Sequence, residues 1–191
     1  NRALNNMLYG IHPYGLRSSG EVDTLNGLQR KDLVDFYQSH YSAANSVISI
    51  MGDVSRSEAA AIAEALSKNL PQGKGLNILP PVTEPLSGTK RITHPATQSH
   101  ILLAYPGLKR NDPDYYPLLV GNYILGGGGF ASRLMEEIRQ KRGLAYSVRS
   151  GFYPLKQAGP FQIGLQTKKE QSEEALMITQ KVLADFVAEG P

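Results

Sequence analysis

Two residues at the end of a charged segment have the chemistry to hold a peptide or an acyl group. Arg139 lies in "MEEIRQKRGLAY", near the C-terminal end of an expected helix, and Tyr146 follows across Gly143 at the start of an expected strand. A tight turn that brings an arginine and a tyrosine to one edge supplies two hydrogen-bond donors to a single carbonyl oxygen. Such an arrangement binds a peptide backbone or stabilises an oxyanion as it develops. Taken singly, Arg139 reads as solvated surface and Tyr146 as the edge of a core. Their neighbours Arg133, Glu136, Glu137, Lys141 and Arg142 read as a solvated face, with Glu137 and Lys141 four apart in the favourable order.

Upstream of this pair stand Gly126, Gly127, Gly128 and Gly129, in "LGGGGFA". The run matches G-x-G-x-x-A and opens a helix, so a phosphate cradle has to be tested. It fails on context. The lead-in "DYYPLLVGNYIL" has the spacing of a helix rather than a strand, and no acid follows where a ribose hydroxyl would need one. A G-K-[ST] is also missing. One glycine suffices for a left-handed turn, so four in a row point to mobility or to close approach by another backbone, such as an extended peptide.

The elements that must position these residues follow from periodicity. Residues 3–9 read as the end of a helix closed by Gly10 and the turn "HPYG", and residues 21–27 as a polar loop. Residues 29–41 carry apolar positions at helical spacing, with one face to bury. Residues 45–51, "NSVISIM", read as a strand. Ser55 opens a helix with a capping box closed by Glu58, its apolar stripe on Ala59, Ile62, Ala63 and Leu66. The stretch 71–88, rich in proline and glycine, reads as the linker. Beyond it come strands at 90–94 and 99–105, then a helix from an Asp114 cap to about residue 125 with Pro117 in its first turn. A helix at 132–142 stopped by Gly143, strands at 145–152 and 161–167, and a last helix at 172–188 complete the chain. This order implies an α+β fold of packed layers. The domain reading is residues 1–73 as the C-terminal part of a first α+β half, a linker at 74–89, and 90–191 as most of a second α+β half, truncated at its C-terminus.

Bulk composition narrows the classes. With 191 residues there is enough chain for one good core or two small ones. Zero cysteines exclude disulfides, thiolate chemistry and cysteine-based zinc sites. A net charge of +3 is too small to argue for nucleic acid, and no apolar run approaches the ~20 residues that span a bilayer. The first residue is Asn1 and the last helix ends at the last residues, so the chain reads as a piece of a longer one.

"LGGGGFASRLMEEIRQKRGLAYSV" closely resembles the C-terminal domain of the pitrilysin/insulinase family of zinc metalloproteases, in its processing-peptidase-like branch. "YGIHPYG", "LQRKDLVDFYQSHYSAANSVISIMGDV" and "LPQGKG" resemble the family in the same order, so the likeness covers nearly the whole chain. It implies an antiparallel-rich sheet packed with helices, in insulinase-like metallohydrolase layers. It also implies that Arg139 and Tyr146 contact substrate near the scissile bond, and that the glycines at 126–129 form a substrate-handling loop. Two features depart from the family. Gln29 stands where a hydroxyl-bearing cap is common, so that helix start should be weaker. The inverted zinc motif H-x-x-E-H is absent: His12, His40, His94 and His100 are the only histidines, and none has another four residues away. His12 reads as a turn or packing residue.

The expectation is therefore a non-zinc, substrate-binding portion of an insulinase-like zinc metalloprotease, inactive by itself. No metal or cofactor is expected in this chain, and zinc is expected in the parent protein or a partner subunit. The implied partners are a peptide or unfolded protein substrate and a catalytic zinc domain, in cis or in a partner subunit. A dimer is expected for the full-length form, with no nucleic acid and no membrane span. Alternatives of the same fold are a zinc-less partner subunit and a non-catalytic structural scaffold. The sequence names no compartment; the bacterial periplasm or cytoplasm is the expectation, the periplasm slightly favoured.

Overall fold

A computed structural model describes residues 2–73, 78–83 and 87–191, so the expected linker at 74–89 lies partly outside the described residues. In chain order the helices and strands are α1 (Arg2–Tyr9), α2 (Val22–Gly27), α3 (Arg30–His40), α4 (Arg56–Ser67), β1 (Gln98–Pro106), α5 (Tyr115–Asn122), β2 (Ala145–Phe152), β3 (Pro160–Lys168) and α6 (Ser172–Glu189). They divide into two compact units, Asn1–Arg17 with Leu79–Pro191, and Ser18–Ile78. Helices packed with an antiparallel sheet make the fold α+β, as the sequence implies.

The larger unit is built on that sheet. Its strand order is β1-β3-β2, with both pairings antiparallel. β3 is central and reads as a period of two, burying Phe161, Ile163, Leu165 and Thr167. Val148 and Ile101 both stand opposite Leu165, one from each flanking strand. Over this face lies α6, which buries Ala175, Thr179 and Val182, a stripe at spacings of four and three. Leu134 and Ile138 complete the layer and are fully buried, as are Val148 and Ile163. Burying each such side chain contributes about 1.5–3 kcal/mol.

In the same unit, α1 ends at the turn "HPYG". His12 is buried there: its Nδ1 accepts the Tyr14 N–H at 3.1 Å and its Nε2 lies 2.9 Å from the Pro80 carbonyl oxygen. The Tyr14 hydroxyl accepts the Gln157 N–H at 3.0 Å. Both ring nitrogens of His12 are occupied, which fits the turn and packing role expected of it.

The unit Ser18–Ile78 departs from expectation in three places. Residues 22–27 form α2 rather than a loop, capped at Glu21, where Thr24 accepts the Glu21 N–H at 3.0 Å and returns its hydroxyl to the Glu21 carbonyl at 2.8 Å. Residues 45–51 form no strand. A strand exists only through its ladder, and "NSVISIM" meets no strand among the described residues, leaving Val47 91% and Met51 98% exposed. The same holds in the other unit for residues 90–94, where the sheet begins only at Gln98. Third, the apolar stripes of α3 and α4 stay open: Leu33, Phe36, Tyr37, Ile62 and Leu66 are exposed, since this unit has no second layer over them among the described residues.

Helix starts obey local rules more closely. The Ser55 N–H donates to the Glu58 carboxylate at 2.8 Å and the Glu58 N–H to the Ser55 hydroxyl at 3.3 Å, which is the expected box. At α3 the Asp32 carboxylate accepts the Gln29 N–H at 2.9 Å. Asp114 makes no side-chain cap for α5; instead Asp112 accepts the Asp114 N–H at 3.1 Å.

Candidate functional site

The site begins where α5 runs into the glycines. The helix widens there into a π-helical turn, Tyr123–Gly127, closed by the Gly128 N–H donating five residues back to the Tyr123 carbonyl at 2.8 Å. A reciprocal pair pins this end to the sheet. The Ser150 hydroxyl of β2 donates to the Asn122 side-chain oxygen at 2.6 Å, and the Asn122 amide donates to the Ser150 carbonyl at 3.2 Å. Both residues are buried, so each satisfies a polar group that would otherwise be costly. Gly126 sits against this pair: a Cβ on it would lie 2.4 Å from the Ser150 hydroxyl oxygen and 2.7 Å from Leu134. It is a glycine because two elements touch there.

Gly129 has a different reason. Its φ is +61°, and an added Cβ would meet nothing. Its carbonyl accepts the Ser132 hydroxyl at 2.7 Å and the Ser132 N–H at 3.1 Å. Next to it the Phe130 carbonyl accepts the Gln140 side-chain amide at 3.0 Å. Thus the loop is tied down at both ends, and Phe130 is carried on a fixed backbone.

A second π-helical stretch, Met135–Gln140, carries Arg139. The Lys141 N–H reaches the Glu136 carbonyl at 2.9 Å, again five residues back. Gly143 then ends the segment with φ +61°, its N–H on the Arg139 carbonyl and the Leu144 N–H on the Ile138 carbonyl, both at 2.9 Å. Immediately afterwards β2 carries an irregularity. Ala145 pairs Thr167 and Val148 pairs Leu165, three steps against two, so β2 has one extra residue. Ala145 and Val148 both stay buried, while Tyr146 is turned out to 81% exposure.

The two residues picked from the sequence meet. The Arg139 guanidinium carbon lies 4.6 Å from the centre of the Tyr146 ring and 4.7 Å from that of Phe130. Both distances are within cation–π range. Among the described residues Arg139 has no carboxylate partner. The neighbouring acids are taken: Glu137 binds Lys141 and Arg142, each at 2.5 Å, and Lys141 also lies 3.0 Å from Glu136. These hydrogen bonds, Lys141's first and Arg142's next, hold the Glu137 carboxyl below its usual range. Arg139 therefore keeps its in-plane N–H donors uncommitted to any carboxylate, beside an exposed tyrosine. The glycines divide: Gly126 is buried in the support, whereas Gly127, Gly128 and Gly129 are at least partly open. Phe130 was not singled out by the sequence. The only signal for it was an aromatic residue closing a glycine run, and no spacing rule connects that to a residue nine positions on.

Zinc has no home among these residues. No group of three His, Cys, Asp or Glu side chains able to hold a metal occurs among the described residues, and His12 has both nitrogens engaged. Among the described residues, no helix is long and apolar enough to cross a membrane.

The peptidase M16 inactive domain matches residues 27–191. The chain belongs to the M16 peptidase family. It is 30% identical over 194 residues to an uncharacterized zinc protease of Streptomyces coelicolor, covering 95% of this chain and 41% of that protein. It is 29% identical over 189 residues to the uncharacterized zinc protease YmxG of Bacillus subtilis, covering 98% and 45%. A crystal structure of a peptidase M16 inactive domain from Pseudomonas fluorescens superposes with a TM-score of 0.97 at 44% identity, covering all of this chain and 46% of that one. The M16 chain thus spans less than half the length of these relatives. A chain of Complex III2 from Candida albicans shares the fold alone, with a TM-score of 0.83 at 17% identity over 97% of this chain and 46% of that one. The pitrilysin-type likeness read from the motifs, and the α+β fold it implied, agree with these findings.

Proposed function

We propose that this M16 inactive domain is the substrate-binding portion of a zinc metalloprotease, and that Arg139 and Tyr146 donate to a carbonyl of the bound peptide. The zinc would be held by a catalytic domain elsewhere in the same protein or in a partner subunit. Relatives named zinc proteases support that reading. One observation carries it: an arginine with no carboxylate partner among the described residues, held over two rings at the protein surface, beside an exposed tyrosine. Water shields such donors poorly from a carbonyl once a peptide covers them, and each hydrogen bond then gains in strength. On this reading the open glycines Gly127, Gly128 and Gly129 are the part of the loop an extended peptide would meet, with Gly126 as its buried anchor.

The test uses the full-length protein with its catalytic domain. Arg139→Ala should lower kcat/KM for peptide hydrolysis by about 10- to 100-fold, the worth of a hydrogen bond from a charged donor. Tyr146→Phe, which removes one hydroxyl, should cost about tenfold or less. An unchanged cleavage rate in both would overturn the clamp and leave a structural role for the domain. The purified chain alone should hydrolyse no peptide with or without added zinc, and zinc-dependent turnover by it would sink the assignment.

A further inference from the structure

Arg139 has two aromatic neighbours, and only Tyr146 belongs to the pair read from the sequence. We propose that Phe130 is a positioning residue, which sets the Arg139 guanidinium for substrate and links the glycine loop to the clamp. This rests on the reading of Arg139 as a substrate contact.

Three observations converge on Phe130. Phe130 is 65% exposed, so it contributes little to the core, yet its ring centre lies 4.7 Å from the Arg139 guanidinium carbon. Its backbone is held at its own carbonyl by Gln140 and at the preceding carbonyl by Ser132. The Gln140 tether comes from the π-helical stretch that also carries Arg139, so ring and guanidinium share one support. An arginine side chain has four rotatable bonds before its planar head, and an unpaired one at a surface samples many rotamers. A ring beneath the guanidinium carbon attracts it through its π cloud and offers no acceptor that would consume its N–H donors. A carboxylate would instead consume those donors. Phe130 is thus suited to orient the guanidinium without competing with a carbonyl for it. The glycines fit this role, since Gly129 at φ +61° is the residue that delivers Phe130.

The experiment is a double-mutant cycle in the full-length protein with its catalytic domain, using one peptide substrate. Phe130→Ala should lower kcat/KM about two- to fivefold, the size of an exposed cation–π contact, and in the same parameter, kcat or KM, that Arg139→Ala moves. In the Arg139→Ala background the Phe130→Ala effect should vanish. Phe130→Tyr and Phe130→Trp should retain activity, whereas Phe130→Leu, which keeps bulk without a π face, should resemble Phe130→Ala. The Leu–Tyr comparison decides the matter even where the alanine variant is poorly folded, as checked by its unfolding temperature. Equal losses in both backgrounds, or activity retained by the leucine variant, would overturn the proposal. If Arg139→Ala itself is silent, the substrate-contact reading fails and this proposal falls with it; if only the Phe130 variants are silent, the clamp stands and Phe130 has no part in it.

Discussion

Replacing Gly126 tests whether the glycine run is held by contact or by freedom of motion. An alanine Cβ there would sit 2.4 Å from the Ser150 hydroxyl oxygen, 2.7 Å from a Leu134 methyl carbon and 2.8 Å from the Ser150 backbone nitrogen. The leucine methyl can give way, but the backbone nitrogen belongs to β2, which is paired to β3 at that residue. Relief therefore requires the π-helical turn to move off the sheet. Overpacking of this kind costs about 1–3 kcal/mol. Displacing the Ser150 hydroxyl also breaks its 2.6 Å hydrogen bond to buried Asn122, a further ~1 kcal/mol. The sum, about 2–4 kcal/mol, lowers the unfolding temperature of a chain this size by roughly 4–16 °C.

Gly129 supplies the control, because its constraint is the backbone angle and not space. Asparagine tolerates left-handed φ, so Gly129→Asn should cost little, while alanine there costs about 1–2 kcal/mol. At Gly126 the order reverses, since asparagine is larger and no angle needs relieving. Calorimetric unfolding of the purified chain with both substitutions at both positions reads this out. Wild-type unfolding temperature for Gly126→Ala, or asparagine tolerated equally at the two sites, would refute the contact argument.

Two further outcomes follow from the same geometry. Ile138 is fully buried in the core, so Ile138→Ala should cost about 2–5 kcal/mol and Ile138→Val about 0.5–1.5 kcal/mol, read as a lower urea midpoint at unchanged slope. The Glu137 carboxyl is held below its usual range, so its stabilisation is complete above the unfolded value of about pH 4.3 and is lost as pH falls through the lower folded value. Glu137→Gln should therefore unfold earlier than wild type at pH 7, with the gap closing in acid below about pH 4; a gap that stays constant with pH would count against it.

The sequence made elements legible where their rules are local. α6, β2 and β3 fall within a residue or two of the spans read from periodicity, and the Ser55–Glu58 box forms as its spacing implies. Elements that depend on partners were not legible in the same way. "NSVISIM" has β-branched residues in plenty, but composition cannot supply a neighbouring strand, and the stripes of α3 and α4 have no layer over them among the described residues. The two π-helical turns left no trace in periodicity. Each is closed by a hydrogen bond reaching five residues back, and no composition encodes that.

The same distinction separates the parts of the candidate site. Arg139 and Tyr146 are seven residues apart with one glycine turn between them, so a local rule was enough to bring them to a common edge, and the structure brings their side chains to 4.6 Å. Even so, that rule gave only proximity. What turns Tyr146 outward is the extra residue in β2, which lets Ala145 and Val148 both stay buried where simple alternation would have buried one and exposed the other. The glycine run shows the converse. Its sequence left mobility and close approach both open, and for Gly126 the approaching backbone is β2 of this same chain. A glycine fixed by its own sheet cannot be free to move, so any substrate handling by this loop falls to the residues after it. These are the open glycines and Phe130, whose ring is already placed over the arginine.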